Sequence, residues 1–348
     1  MSTRFALNAS QIAVACGCTH QKPVSMRMDN LFTPVCIASQ YLRFMFEHRS
    51  ITTLPSFVFS LWSNGPKELV ESVRYTFDEH FGHRTPSYQP RPVVYDYLTG
   101  RAERGNVRQY IRFETAIQKV DYKNGEFQVT VKDLPTNTDE HLTFDYVIVA
   151  TGRYATPNIP HFDGLETFPG KCFHAKEFRD ARDYANQHIL IIGSGFAAED
   201  IALQLVKFGA RKITISYRTQ PLNYNWPEKI TQVPLLVRME GRTAYFRDGT
   251  TNDGDIDTVI LCTGYKCHFP FMADHLRLNC EMNDLYPSPL YKGVFWNNQP
   301  QLIYLGAQSL IFQFTMFDLQ AELVRVVICG EYTLPTPEIR EQIGRAHV

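Results

Sequence analysis

Three stretches of the chain carry apolar runs that stop at a glycine: "FDYVIVATG" (144–152), "HILIIGSG" (188–195) and "DTVILCTGY" (257–265). Strands covered on both faces need no alternation, so these runs predict buried strands of a parallel sheet. "EFQVTVKD" (126–133) alternates instead, and predicts a half-exposed strand. "LLVRMEGRTAYFRDGT" predicts a hairpin turning at Glu240–Gly241 and Asp248–Gly249. "PKELVESVRYTF" predicts one helix with Pro66 in its first turn, and "FDLQAELVRVVICG" another. Residues 1–60 show neither period cleanly.

The second run opens the most informative unit, "HILIIGSGFAAEDIALQLVKFGARKITISYRT" (188–219). A strand is followed at once by Gly193-Ser194-Gly195-Phe196-x-Ala198, then by apolar positions 198, 201, 202, 205 and 206 on one helical face. Gly209 ends the helix and "KITISY" follows as a second strand. G-x-G-x-x-A alone is weak; between strand and helix in a βαβ-length unit it predicts a dinucleotide site. Gly193 permits the tight turn. Gly195 lets amides approach a diphosphate, and Ala198 allows close helix–sheet packing. An NAD site usually shows an acid about 20 residues on. Here stand Ser216, Tyr217, Arg218 and Thr219. Arg218, with hydroxyls from Ser216 or Thr219, suits a 2′-phosphate, so NADP(H) is expected over NAD(H).

Composition changes this picture little. The 348 residues carry a net charge of −1, with 44% hydrophobic and 20% charged residues. That balance favours neither nucleic acid nor an anionic membrane. No apolar run reaches the roughly 18 residues of a membrane span, and no signal peptide is read, so a cytoplasmic protein is expected. The eight cysteines, at 16, 18, 36, 172, 262, 267, 280 and 329, include no C-x-x-C pair. Reduced thiols and no metal site are expected.

Upstream of the dinucleotide unit, "FPGKCFHAKEF" fits F-x-G-x-x-x-H-x-x-x-[FY] at Phe168, Gly170, His174 and Phe178. This resembles the fingerprint of flavin-containing monooxygenases and their Baeyer–Villiger relatives. "LWSNGPKE", "YTFDEHFG", "DYVIVATGRYATPNIP", "YRTQPLNYNWPE", "TVILCTGYKCHFPF", "LYPSPLYKGV" and "FTMFDLQA" extend the resemblance from Leu61 to about Leu334. They are similar to the trimethylamine monooxygenase branch. The resemblance implies an α/β fold of two dinucleotide-binding, Rossmann-like domains. An NADPH domain (159–265) would be inserted into an incomplete FAD domain (61–158 and 266–348), after an aberrant segment (1–60). It implies FAD and NADPH as cofactors, and O2 and a tertiary amine or sulfide as substrates. Oxygenation would run through a C4a-hydroperoxide of the flavin; a homodimer is possible within the family. It assigns Asn64 to the active site. Thr151–Gly152 and Thr263–Gly264–Tyr265 fall at the domain crossings, and Gly306, Gln308 and Thr315 beside the flavin.

One departure matters. The family opens with a second glycine loop for the FAD diphosphate, whereas residues 1–60 contain one glycine, Gly17. Without glycines a Cβ blocks the approach of backbone to phosphate. Codons for "AVACGCTH" and "NLFTPVCIA" permit family-like strings one nucleotide out of frame, so residues from about 11 to 39 are expected to be out-of-frame coding sequence, and 40–60 translated intron or junk. The chain also stops before a further helical segment of the family. Weak FAD binding is therefore expected. Two alternatives stay open: an NADP(H)-binding remnant, and a flavin reductase or oxidase that releases H2O2.

Overall fold

A computed structural model of the chain describes residues 13–16, 62–63, 65–152, 154, 156–252, 254–279, 289–308 and 313–345. The chain divides into two compact units. One includes Gly65–Ala155 and Cys267–Val348, and the other is built on Thr156–Lys266. The Thr156–Lys266 stretch interrupts the first unit in sequence.

The first unit opens with β1 (Ala13–Cys16), then three helices, α1 (Lys67–Val70), α2 (Phe77–Phe81) and α3 (Arg91–Arg104). A single helix through "PKELVESVRYTF" is not what forms. Glu71 turns extended at ψ 160°. Long-range partners take the groups a continuous helix would use: the Tyr97 hydroxyl accepts from Ser72 N–H at 2.7 Å, and the Ser72 hydroxyl donates to Asp318. Thr76 then starts α2 with a reciprocal capping box: its hydroxyl accepts from Glu79 N–H, and the Glu79 carboxylate accepts from Thr76 N–H.

Strands β2 (Thr115–Lys123), β3 (Glu126–Asp133) and β4 (Thr138–Phe144) form an antiparallel meander. β3 covers the alternating segment end to end, with Phe127, Val129 and Val131 turned inward. β5 (Tyr146–Val149) follows, and the chain leaves for the second unit.

There, β6 (Thr156–Pro157) leads to β7 (Lys171–His174), β8 (His188–Ile192), α4 (Phe196–Lys207), β9 (Lys212–Ser216) and β10 (Ile230–Val233). The hairpin β11 (Leu236–Glu240) and β12 (Thr243–Phe246) turns at Gly241. β13 (Thr258–Leu261) and β14 (Tyr265–Lys266) close the unit. Five strands form one parallel sheet in the order β10-β9-β8-β13-β7. All five residues of β8 and all four of β13 are buried. The reason is a layer on each face. Ala198, Ile201, Ala202 and Leu205 of α4 pack on one side, and the hairpin's Leu236, Met239 and Phe246 on the other. α4 ends where expected, with Gly209 at φ 88° just beyond it.

Back in the first unit come β15 (Leu290–Tyr291), β16 (Phe295–Trp296), β17 (Leu302–Tyr304), α5 (Gln313–Ile328) and α6 (Pro337–Arg345). Its second sheet has the order β1-β5-β17-β16-β15. β17 runs parallel to β5, but β1 runs antiparallel, Ala13 opposite Val149 and Cys16 opposite Tyr146. No helix among the described residues is long and apolar enough to cross a membrane.

Candidate dinucleotide site

The glycine loop after β8 uses its two glycines differently. Gly193 sits at φ 114°, and a Cβ there would lie 2.2 Å from the Cys262 carbonyl oxygen. Its N–H donates to the Ser216 carbonyl at 2.8 Å, so the turn is wedged between the ends of β9 and β13. Gly195 has an ordinary φ of −100°. A Cβ there would meet nothing within 4 Å. What this glycine preserves is open space in front of the α4 N-terminus. No side chain caps that end. The first intrahelical bonds run from Ala198 and Glu199 N–H to the Gly195 carbonyl, at 2.9 and 3.2 Å. The Phe196 and Ala197 amides precede them. Ala198 is fully buried against the sheet. Free amides at the positive end of a helix dipole, facing an open cradle, suit a diphosphate.

The cradle opens into a cavity of about 640 Å³. Gly193, Ser194 and Gly195 form one wall, Arg218 to Leu222 another, and Asn158 to Phe162 with Thr263 a third. The volume matches an ordinary small-molecule pocket. Arg218 and Thr219 are exposed at its edge, and Arg218 makes no ion pair among the described residues. Ser216 lines the cavity but corrects the expectation of a hydroxyl donor there. Its Oγ–H donates to the Pro234 carbonyl at 3.0 Å and its oxygen accepts from Leu236 N–H at 2.8 Å. The proton is already engaged, which leaves Thr219 as the available hydroxyl.

Phe196 is 71% exposed and is not among the cavity's lining residues, although it was expected at the cofactor. Asn158 was missed. Its Nδ2 donates to the Thr263 carbonyl at 3.1 Å, its N–H donates to the Gly264 carbonyl at 2.9 Å, and its own carbonyl accepts from the Thr263 hydroxyl at 2.5 Å. This clamp holds Thr263 in the wall, with Gly264 behind it. Asp200 also escaped notice: burial, with Glu199 beside it, pushes its carboxyl up to about 6.

The F-x-G-x-x-x-H-x-x-x-F segment frames this site without lining the cavity. Phe168 and Phe178 are buried on opposite faces of the parallel sheet. Gly170 stands where a Cβ would lie 2.3 Å from the Asp257 carbonyl oxygen. His174 accepts from Lys176 N–H through Nδ1 at 3.1 Å and donates from Nε2 to the Gly264 carbonyl at 2.9 Å. Burial holds its pKa below the ordinary value. A neutral imidazole thus ties β7 to the turn after β13.

Thr151, Gly152, Gly306, Gln308 and Thr315 lie in the first unit. Thr151 and Gly152 follow β5 and line, with Gly306 and Tyr304, a hollow of only about 10 Å³. Gln308 is buried, and its side-chain carbonyl accepts from Gln320 at 3.0 Å. The Thr315 hydroxyl donates to the Glu71 carbonyl at 3.1 Å. Asn64 lies outside the described residues. No glycine loop between a strand and a helix occurs in this unit among the described residues, and β1 runs against β5 rather than with it. Those residues do not fit the diphosphate of FAD.

A parallel sheet with a glycine loop, a free helix N-terminus and a cavity at its carboxyl edge defines a dinucleotide-binding α/β protein. The chain belongs to the Flavin-binding monooxygenase-like family, which matches residues 29–228 and 222–344. That match begins upstream of Leu61, where the resemblance read from the sequence started. FAD and NADPH are the cofactors of this family. The chain is 51% identical to the trimethylamine monooxygenase of Methylocella silvestris over 283 residues, covering 81% of this chain and 62% of that protein. It is 46% identical to that of Pelagibacter ubique, over 82% and 64% of the two. Among solved structures, Tmm from a Pelagibacter species superposes with a TM-score of 0.80 at 41% identity, over 83% of this chain and 65% of that one. The S-allyl-L-cysteine S-oxygenase of Allium sativum superposes at 0.74 with 26% identity, over 83% and 66%. The chain spans 62% of the Methylocella protein's length, and a similar share of the other curated relatives.

Proposed function

We propose that the chain acts in the NADPH-dependent oxygenation of a soft nucleophile, a tertiary amine nitrogen or a sulfide sulfur, as a flavin-dependent monooxygenase. Its Thr156–Lys266 unit seats NADP(H). The observation that carries this is the cavity that joins an uncapped helix N-terminus to Arg218, with no acid between β9 and the loop that follows it. The amides of residues 194–197 hold the diphosphate. The Arg218 guanidinium and Thr219 hydroxyl take the 2′-phosphate, where a carboxylate would repel it. Thr263, fixed by Asn158, bounds the far wall. Thr151, Gly152 and Gln308 are assigned to the flavin side, and Asn64 to the oxygenation site, on the family pattern. FAD supplies the activation of O2 in this family, and its diphosphate needs a seat that the described residues do not make. The names of the Methylocella and Pelagibacter relatives support trimethylamine as the amine.

A second reading, NADP(H) binding without oxygenation, is favoured by two observations: the antiparallel β1 and the single glycine of the first 60 residues. Titration of the purified full chain with FAD, followed by absorbance, separates the two. Stoichiometric uptake with trimethylamine-dependent NADPH oxidation supports the first. A colourless protein that binds NADP+ supports the second. A protein that binds neither cofactor overturns both.

A further inference from the structure

Gln232 lies on β10, outside the cavity and outside every motif read from the sequence. Its carboxamide bonds the main chain of Leu222 at both ends. Oε1 accepts from Leu222 N–H at 2.7 Å, and Nε2 donates to the Leu222 carbonyl at 2.9 Å. A side chain here makes the pair of bonds that a neighbouring strand residue would make. The next residue of β10, Val233, anchors the other end of the same loop, accepting from Tyr217 N–H at 2.9 Å. Residues 218–221 run between these anchors without secondary structure. They include Arg218 and Thr219, and with Leu222 they form one wall of the cavity. Tyr224, further on and outside the loop, lies near Glu199 of α4, whose negative charge pushes the phenol above its ordinary pKa.

We infer that Gln232 is a positioning residue for coenzyme choice, holding the 218–222 loop closed on β10 so that Arg218 meets the 2′-phosphate of NADP(H). The inference rests on the NADP(H) assignment made above. The physical reason is orientation. An exposed arginine has many rotamers, and its guanidinium discriminates only if its backbone is fixed. With the loop pinned at adjacent β10 residues, Arg218 starts from one place. With the Leu222 end released, it starts from many, and the 2′-phosphate loses a defined partner. The diphosphate and the rest of the adenosine bind elsewhere, so NAD(H) should feel little of this.

The test uses the full chain, Gln232→Leu and Gln232→Glu, and titrations with NADP+ and NAD+ at fixed ionic strength. Gln232→Leu removes both bonds at similar volume. Gln232→Glu keeps the acceptor for Leu222 N–H but turns an acceptor toward the Leu222 carbonyl. Both are expected to weaken NADP+ by about tenfold while NAD+ changes by less than about twofold. Arg218→Ala in either background should then cost much less than it does alone, because the two changes remove one interaction. Hydrogen exchange at the Leu222 amide, read under conditions where the variants are folded, should be faster in each than in the unaltered chain. An unchanged NADP+/NAD+ ratio in both variants, against an unaltered chain that prefers NADP+, overturns the inference alone. An unaltered chain with no NADP+ preference overturns the assignment beneath it, and the inference with it.

Discussion

Gly193 and Cys262 approach so closely that a Cβ on the first would stand 2.2 Å from the carbonyl oxygen of the second. The backbone of Gly193 is also at φ 114°, where an L side chain is strained. Gly195, two residues on, has neither constraint. Gly193→Ala should therefore cost stability, roughly 2–4 kcal/mol, by strain and by prising β8 from β13. Gly195→Ala should leave the melting temperature nearly unchanged, yet weaken NADP+ by about tenfold or more, because its methyl fills the phosphate cradle. Thermal unfolding and NADP+ titration of the two variants check the contrast. Equal loss of stability in both would contradict the division of labour.

Arg218 is exposed at the cavity edge with no ion-pair partner among the described residues. Its replacement should leave the fold intact. Arg218→Ala is expected to weaken NADP+ by about 10- to 100-fold and NAD+ by less than about twofold, the range of a charge-assisted phosphate contact. Arg218→Glu should go further and favour NAD+, since a carboxylate repels the 2′-phosphate and accepts from a ribose hydroxyl. The NADP+ preference of the unaltered chain should shrink as salt is raised. A preference indifferent to both residue 218 and ionic strength would remove Arg218 from the site.

The strands of the second unit were legible because burial on both faces leaves apolar runs, and Gly193–Ala198 because it sits between such a run and an amphipathic helix. What escaped the sequence was set by partners distant along it. The helix expected across residues 66–77 breaks because Ser72 bonds Tyr97 and Asp318, the latter 246 residues away. Ser216 was expected to face a phosphate, and instead bonds the turn at Pro234, 18 residues on. Asn158 and Thr263 meet across 105 residues. In each case a short polar side chain had a local role that its neighbours allowed and a long-range partner that decided the matter. The direction of β1 belongs with these, since four small and apolar residues pair equally well either way.

His174 is buried with both ring nitrogens engaged, and burial holds its pKa below the ordinary value. The unfolded chain takes a proton on this residue below about pH 6.5, while the folded chain keeps it neutral. More protons are then bound in the unfolded state, so stability falls as pH drops through that region, by up to about 1.4 kcal/mol per pH unit. His174→Gln keeps a donor for the Gly264 carbonyl and removes the titration. Its melting temperature should depend less on pH between 7 and 5 than that of the unaltered chain. His188, whose pKa burial also lowers, is common to both proteins and cancels from the difference. Parallel profiles would mean that His174 takes up its proton equally in the folded and the unfolded chain.

At the amino end of β8, His188 is wholly buried. Its Nδ1 lies 2.6 Å from Asp255 Oδ1 and its Nε2 2.9 Å from the Thr214 hydroxyl. Arg211 donates to the other Asp255 oxygen at 2.9 Å. Burial raises the Asp255 carboxyl, but hydrogen bonds from His188 and Arg211 more than reverse this and hold it well below the ordinary carboxylate range. Asp255→Ala strands a buried N–H and should cost roughly 2–4 kcal/mol; Asp255→Asn, which keeps an acceptor, should cost less. Because the folded carboxyl is depressed, its contribution is present above about pH 4 and is lost as pH falls further, so Asp255→Ala should blunt acid unfolding in that range. The network stands about 16 Å along β8 from the glycine loop. A variant that loses stability at neutral pH but binds NADP+ within about twofold of the unaltered chain, under conditions where both are folded, separates the base of the sheet from its coenzyme edge. Loss of NADP+ affinity in the folded Asp255→Ala protein would show instead that the two ends of β8 are mechanically joined.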